Sequence, residues 1–113
     1  MKKVTVKNLH YEDLEALKTE LDIYNKYVAV KYLATDFLQT IITFDIVNSL
    51  LFLLNNRMWK GAEKNNIIFS ASQAAIILKC CNFNRTDRDT YTKHVMTKLS
   101  IDIDEKLTNL RCR

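Results

Sequence analysis

Apolar positions near the start of the chain change their spacing from two residues to three and four. Val4 and Val6 alternate with polar residues, which is typical of a short strand or an extended arm. Leucines then recur at helical spacing from Leu14 to Leu21, and Asn8 is available to cap that helix. The sequence therefore predicts an extended segment followed by an amphipathic helix, with a looser pattern around Asp22–Asn25.

A long helical stretch is predicted from Tyr24 to Lys60, and its apolar face changes side partway. In steps of about 100°, apolar residues over Val30–Ile42 cover one side, and those over Phe44–Leu54 cover the other. A straight helix buried along one side does not explain this half-turn change. Either the helix breaks near Thr43–Asp45, or it is continuous between two different packing partners. We favour the break, because each half then buries an ordinary stripe.

After this stretch the pattern predicts a loop, a short apolar run and a new helix. The one glycine of the chain lies in the loop Lys60–Asn66. The run Ile67–Phe69 fits either a strand or a hydrophobic staple. Ser70 and Gln73 have the spacing of a capping box, which predicts that the helix starts there.

Two further helices are expected towards the end of the chain. Thr86–Asp89 holds capping residues for a helix that extends to about Ser100. Asp102 or Asp104 then opens a short last helix. No internal repeat is evident along the chain.

Charge is distributed unevenly and favours an anionic partner for the C-terminal half. The net charge is +4, yet Arg57–Lys98 holds eight basic and three acidic residues. Such a basic segment is expected where a protein faces nucleic acid, although it can also be a solvated surface. With one glycine and no proline, the chain lacks glycine-rich phosphate loops and dinucleotide fingerprints.

The segment from Asp45 to Leu99 resembles the winged helix-turn-helix family of DNA-binding domains. Thr90, Tyr91, His94, Val95 and Leu99 follow the cadence Thr-Val-x-x-His-Val-x-x-Leu of that family's recognition helix. The turn before this helix is longer than the family's, and an acidic Ser-Ile-Asp-Ile-Asp-Glu follows where the family has a basic wing. The resemblance implies that the helix over 86–100 enters the major groove of DNA.

These observations together predict the fold class and the domain organisation. We expect an all-α protein, a compact bundle of five to six helices with a helix-turn-helix-like C-terminal half and at most one or two short strands. The 113 residues suit a single domain. It would comprise N-terminal helices over 1–43, a helix-turn-helix-like unit over 44–100 and a C-terminal helix or tail over 101–113.

Side chains on or near the predicted recognition helix are assigned roles in DNA binding. Arg88 is the best donor of two hydrogen bonds to guanine, because it lies at the start of the helix. Lys93, Lys98 and two loop lysines would contact phosphates and set position. The predicted DNA-binding residues are Arg85, Arg88, Thr90, Thr92, Lys93, Thr97, Lys98, Lys60 and Lys64.

The function predicted from these residues is that of a small non-enzymatic DNA-binding regulator or a phage or plasmid accessory protein. The alternative is a helical protein–protein interaction module, a homodimer or an inhibitor of a larger partner, because the long helix carries two apolar faces. No nucleophile with an evident base or metal-ligand spacing is present, so no enzyme activity, cofactor, metal or small-molecule substrate is expected. His94 is interpreted as a half-buried packing residue, and three tyrosines (Tyr24, Tyr27 and Tyr32) as an edge of the core.

Cysteine usage and hydropathy predict a cytoplasmic protein without a membrane partner. Cys80 and Cys81 are adjacent and Cys112 is distant, which makes a poor disulfide framework and indicates reduced thiols. The stretch Phe37–Leu54 is long enough to span a bilayer. It carries Asp45 near its middle, so we interpret it as a buried core helix.

Overall fold

Two strands and four helices form the part of the chain that the structure, a computed structural model, describes: residues 2–83 and 87–111. In chain order they are β1 (Lys3–His10), α1 (Tyr11–Tyr32), α2 (Phe37–Lys60), β2 (Lys64–Ser70), α3 (Ala71–Asn82) and α4 (Thr90–Arg111). The expected all-α bundle of five to six helices is therefore wrong. The described residues form four helices and one antiparallel two-stranded sheet.

Three predicted interruptions are helical in the structure, and two of them lie in α1 and α4. α1 continues through the loosened pattern around Asp22–Asn25, since its buried stripe runs on to Tyr24 and Val28. α4 continues past Ser100, and Ile103 extends its buried stripe. The separate short helix expected from Asp102 or Asp104 is thus the second half of α4.

α2 settles the question of the changing apolar face. A turn after Tyr32 separates α1 from α2, and Asp36 caps α2 by accepting a hydrogen bond from the Gln39 amide at 3.4 Å. The helix then runs without interruption through Thr43–Asp45, so the favoured break is wrong. The helix is continuous there, as the alternative has it, but it is not packed on two sides: its buried residues, Thr40, Thr43, Val47, Leu50 and Leu54, form one stripe. The stretch predicted as helical from Tyr24 to Lys60 is instead divided by the turn before Phe37.

Two threonines begin that buried stripe, on the side of α2 that the sequence pattern assigns to solvent. The Thr40 hydroxyl donates to the Asp36 carbonyl oxygen at 2.8 Å, so its polar group is satisfied within the chain. Because the threonine side of the helix faces the core, the aliphatic side of the first two turns faces outward.

Both short apolar runs are strands, and each buries alternate side chains. Val4 pairs with Phe69 and Val6 with Ile67, and all four are buried on the face that covers the helices. This alternation places the polar side chains of the sheet in solvent, as is usual for an antiparallel sheet with one covered face.

A β-bulge interrupts β1 between Val6 and Leu9. Asn8 lies in it with a positive φ of 62°, a conformation that asparagine tolerates better than most residues. Two asparagines of β2 accommodate the bulge: the Asn66 side-chain oxygen accepts from the Asn8 amide at 3.0 Å, and the Asn65 side chain donates to the Leu9 carbonyl at 3.2 Å. The predicted capping role of Asn8 is therefore wrong, and His10 is the N-cap of α1.

The two halves of the chain repeat the order strand, helix, helix. In each half the first helix follows its strand directly: His10 caps α1, and Ser70, which is 60 residues later, caps α3. The residue three positions on, Asp13 or Gln73, accepts a hydrogen bond from the capping residue's amide at 2.9 or 3.0 Å. The predicted capping box of Ser70 and Gln73 is confirmed.

Packing follows the same approximate twofold relation. α1 packs against α2 as α3 packs against α4, while α1 also contacts α4 and α3 contacts α2. α1 and α3 meet each other, and the paired strands lie between the halves. α2 and α4 consequently have equivalent neighbours among the helices, although α4 also packs against β1.

Candidate functional site

The outer face of α4 carries four of the predicted DNA-binding residues. Val95, Met96, Leu99 and Ile103 bury one side of the helix. At about 100° per residue, the opposite side is formed by exposed side chains that include Thr90, Lys93, Thr97 and Lys98. These four residues, which we name the basic outer face of α4, lie on one surface.

Thr92 does not belong to that surface. Its side chain is half-buried on the inward side of α4, and its amide donates to the Asp89 carboxylate at 2.7 Å. Asp89 therefore caps the helix, as its place in the segment Thr86–Asp89 predicts. Its negative charge also stabilises the positive end of the helix dipole.

Arg88, the predicted reader of guanine, is turned into the protein. Its guanidinium forms an ion pair with Glu20 of α1 at 2.5 Å, and the two side chains are 8% and 2% exposed. It also donates to the carbonyl oxygens of Cys80 and Cys81 at 2.9 and 3.2 Å. All of these donors are directed at α1 and α3, so the structure does not present Arg88 to solvent beside Lys93 and Lys98.

The remaining predicted residues are dispersed. Lys60 is exposed at the end of α2, and Lys64 is exposed at the start of β2, so neither residue belongs to α4. Lys64 pairs across the sheet with His10, which borders a groove beside α4. Arg85 lies outside the described residues.

That groove, of about 540 Å³, separates the β1 bulge from α4. Asn8 and His10 line one side, and His94, Lys98 and Glu105 line the other. His94 is exposed there, so its interpretation as a half-buried packing residue is wrong. Acidic side chains (Asp13, Asp102 and Glu105) and lysines (Lys7, Lys98 and Lys106) both line the groove, so its lining combines the two signs of charge.

Next to this groove, Tyr91 of α4 contacts the start of α1. Its phenol donates to the Asp13 carboxylate at 2.5 Å. The hydrogen bond to Asp13, with smaller contributions from burial and from acidic charge, raises the pKa of Tyr91 to about 12. The contact fastens α4 to α1 and needs the phenol in its neutral form.

The largest apolar residues in solvent belong to α2. Trp59 is 91% exposed, Leu38 is 74% exposed and Phe52 is 70% exposed, and Ile41 and Ile42 are about half exposed. At about 100° per residue they lie on one side of the helix, opposite the buried stripe. We name these five residues the outer face of α2.

A polar stretch divides this face, and exposed apolar residues at the end of α1 lie beside its first turn. Asp45, Asn48 and Ser49 are exposed between Ile42 and Phe52. At the N-terminal end of α2, the neighbouring end of α1 exposes the apolar residues Val30, Leu33 and Tyr32, and Phe37 is exposed beside them.

The tyrosines near this end form the core edge expected of them. Tyr24 is buried, and its ring packs edge-on to Phe83 at 5.5 Å between centroids. Tyr27 stacks on Tyr24 and contacts Tyr32. The Lys31 ammonium lies 5.4 Å from the ring centres of Tyr27 and Tyr32, which places it in cation–π range.

α2 also bears on the membrane question. Of the helices in residues 2–83 and 87–111, it is long and apolar enough to cross a bilayer, with a mean hydropathy of 1.8 over a window that is 28% buried. Length and composition are weak grounds for a span, since the core helix of a soluble protein meets the same test. α2 was expected to be a buried core helix; its inner stripe is buried, but its outer face is exposed.

Within the described ranges, no group of three or more histidine, cysteine or acidic side chains is placed to hold a metal ion.

In comparisons with known proteins, no family matches this chain, and neither a curated protein nor a solved structure is significantly similar to it.

Proposed function

We propose that this protein is a helical protein–protein interaction module whose contact surface is the outer face of α2. The observation that carries the proposal is the exposure of Leu38, Phe52 and Trp59 on one side of one helix. Monomeric soluble proteins rarely expose large contiguous apolar patches, and those that occur are often binding sites.

The corresponding helix of the other half supports this interpretation. α4 has the same place relative to α3 as α2 has to α1, yet its outer face carries Lys93, Thr97 and Lys98. A solvated outer helix is therefore compatible with this architecture. The apolar outer face of α2 is not needed to build the core, so a role in association accounts for it better.

The type of residue also fits a contact surface. Aromatic side chains bury about 150–250 Å² each, and tryptophan is enriched among the residues that dominate binding energy at interfaces. Asp45 and the neighbouring asparagine and serine keep the middle of the face polar. A non-obligate interface commonly combines apolar and polar contacts in this way.

Sedimentation velocity over a wide concentration range tests the proposal. We expect the wild-type chain to self-associate, and Phe52→Asp with Trp59→Asp to abolish association while the helical circular dichroism is retained. The matched control is Thr97→Asp on α4, which should leave association unchanged. A chain that stays monomeric and soluble at high concentration, and is indifferent to the α2 substitutions, would overturn the proposal.

A second candidate is nucleic-acid binding by the basic outer face of α4, in a DNA-binding regulator or an accessory protein of a phage or plasmid. Thr90, Lys93, Thr97 and Lys98 lie together on an exposed helix, which supports it. Phosphate contacts by lysine give a steep dependence of affinity on salt.

Fluorescence anisotropy with duplex DNA at several salt concentrations tests this second candidate. Lys93→Ala and Lys98→Ala should each weaken binding similarly across sequences and reduce the salt slope by about 1. Glu105→Gln, on the same helix, should not weaken binding. Absence of binding at low salt would eliminate the candidate.

A further inference from the structure

The partner that best matches the outer face of α2 is a second copy of the same face. Cyclic dimers with twofold symmetry are the most common oligomers, and they require a surface that is complementary to itself. α2 has 24 residues, which gives a length of about 36 Å, enough for two such helices to lie side by side.

The order of residues along the face distinguishes the two directions in which such helices can pair. Apolar side chains lie at both ends, with Leu38 and Ile41 near the start and Phe52 and Trp59 near the end. Asp45 and Asn48 lie between them. In an antiparallel pair, each apolar end meets the opposite apolar end of the partner, and the polar middles meet each other.

A parallel pair would bring the two copies of Asp45 directly opposite one another. Like charges placed face to face in an interface are destabilising. In an antiparallel pair with its twofold axis near Asn48, the two copies of Asp45 are separated along the helices by about 9 Å, at 1.5 Å per residue.

Charge at the helix ends also favours antiparallel pairing. Between Phe37 and Asn56, Asp45 is the one charged residue, whereas Arg57 and Lys60 lie in the last turn. The other end begins at the acidic cap Asp36. Antiparallel pairing places the basic end beside the acidic cap and opposes the helix dipoles, while parallel pairing places two basic ends together.

We infer that two copies of this chain form a dimer through the outer faces of α2, with the helices antiparallel about a twofold axis near Asn48. The inference rests on the proposed interaction function and adds the identity and the direction of the partner. Leu38 then packs near the partner's Trp59, and Asn48 lies beside the partner's Asn48.

Disulfide cross-linking between single-cysteine variants tests this geometry. Cys112 is replaced by serine, and Cys80 and Cys81 are buried, so the introduced thiol is the reactive one. On oxidation, Asn48→Cys should give a covalent dimer at high yield. Leu38→Cys should not link to itself, because the two positions are about 30 Å apart along antiparallel helices, but it should link when mixed with Trp59→Cys.

Thr97→Cys on the corresponding helix α4 is the control and should remain monomeric on oxidation. Efficient self-linking of Leu38→Cys, in a chain whose association still depends on Phe52 and Trp59, would overturn the antiparallel dimer and leave the proposed function standing. A chain without any α2-dependent association would overturn both. Binding to phosphatidylcholine vesicles that Phe52→Asp abolishes, without dimer formation, would assign the face to a membrane and overturn both the dimer and the proposed protein–protein function.

Discussion

Arg88 and Glu20 form an ion pair almost completely inside the protein, although 68 residues separate them in sequence. The same guanidinium donates to the carbonyl oxygens of Cys80 and Cys81. Carbonyls in the last turn of a helix lack partners within that helix. Arg88 therefore caps the end of α3 and connects it to α1.

Loss of this arginine should be strongly destabilising. Arg88→Leu leaves the Glu20 carboxylate buried without its guanidinium, and removal of one partner of a buried pair costs about 3–5 kcal/mol. We expect a large fall in the urea midpoint, or failure to fold. Lys93→Ala, on the solvated side of α4, should change the free energy of unfolding by less than about 0.5 kcal/mol.

A double-mutant cycle separates the ion pair from the loss of packing. Glu20→Leu combined with Arg88→Leu should be more stable than Arg88→Leu alone, because the buried Glu20 carboxylate is then removed together with the guanidinium that pairs with it. Strict additivity of the two single substitutions would show that the pair is not coupled.

The contact between Tyr91 and Asp13 predicts a difference in alkaline stability. The pKa of Tyr91 rises from 10.0 to about 12 in the folded chain, so the folded state holds this proton more tightly than the unfolded state does. The contribution is fully present below pH 10 and is lost as the pH rises towards 12. Tyr91→Phe removes it.

Urea denaturation of both chains across the alkaline range measures this effect. The stability of the wild type should fall more steeply than that of Tyr91→Phe between pH 10 and 12. Lysines and the other tyrosines titrate in both proteins, so the difference between the two profiles isolates Tyr91. Parallel alkaline profiles would contradict the prediction.

The Cys81 thiol should be inert in the folded protein. Burial raises its pKa to about 12, and this outweighs the opposite effect of the nearby Arg88 guanidinium. Since the thiolate is the reactive species, iodoacetamide at neutral pH should leave Cys81 unmodified in peptide maps until denaturant is added. Ser72→Cys, exposed in the first turn of the same helix, is a control that should react readily. Rapid native modification of Cys81 would refute the prediction.

Gly61 should be sensitive to substitution for a reason of backbone geometry alone. It ends α2 with a φ of 70°, and no described atom lies within 4 Å of the position that a Cβ would occupy. Gly61→Ala should therefore cost about 1 kcal/mol from the left-handed conformation. Gly61→Asn should cost less, because asparagine tolerates that conformation better. Chemical denaturation that finds alanine and glycine equally stable would contradict this account.

Local signals were the ones that could be predicted from the sequence. The cap of α3 by Ser70 depends on residues three positions apart, and alternation identified Val4 and Val6 as extended before any partner strand was known. The bulge at Asn8 was not predictable in this way, because it depends on asparagines in β2 that are more than fifty residues distant.

The candidate site was harder to predict, since it depends on which side of a helix is covered. Arginine is a residue type that commonly reads DNA bases, and no residue near Arg88 in the sequence identifies Glu20 as its partner. The outer face of α2 did leave a signal, in the half-turn change of its apolar side. From the sequence alone that change favours a break, because each half then buries an ordinary stripe. In the structure the buried stripe of the first half is formed by Thr40 and Thr43 instead of the aliphatic side chains.

Considered alone, the amino-acid sequence determined where α3 and α4 begin, where strand residues alternate, and that basic residues gather in the second half. Those properties depend on hydrogen bonds and side-chain spacing within a few residues. Tertiary packing alone decided that α2 presents Leu38 and Trp59 to solvent while Arg88 is withdrawn from it. A helix has several sides that could be buried, and contact with distant elements selects among them.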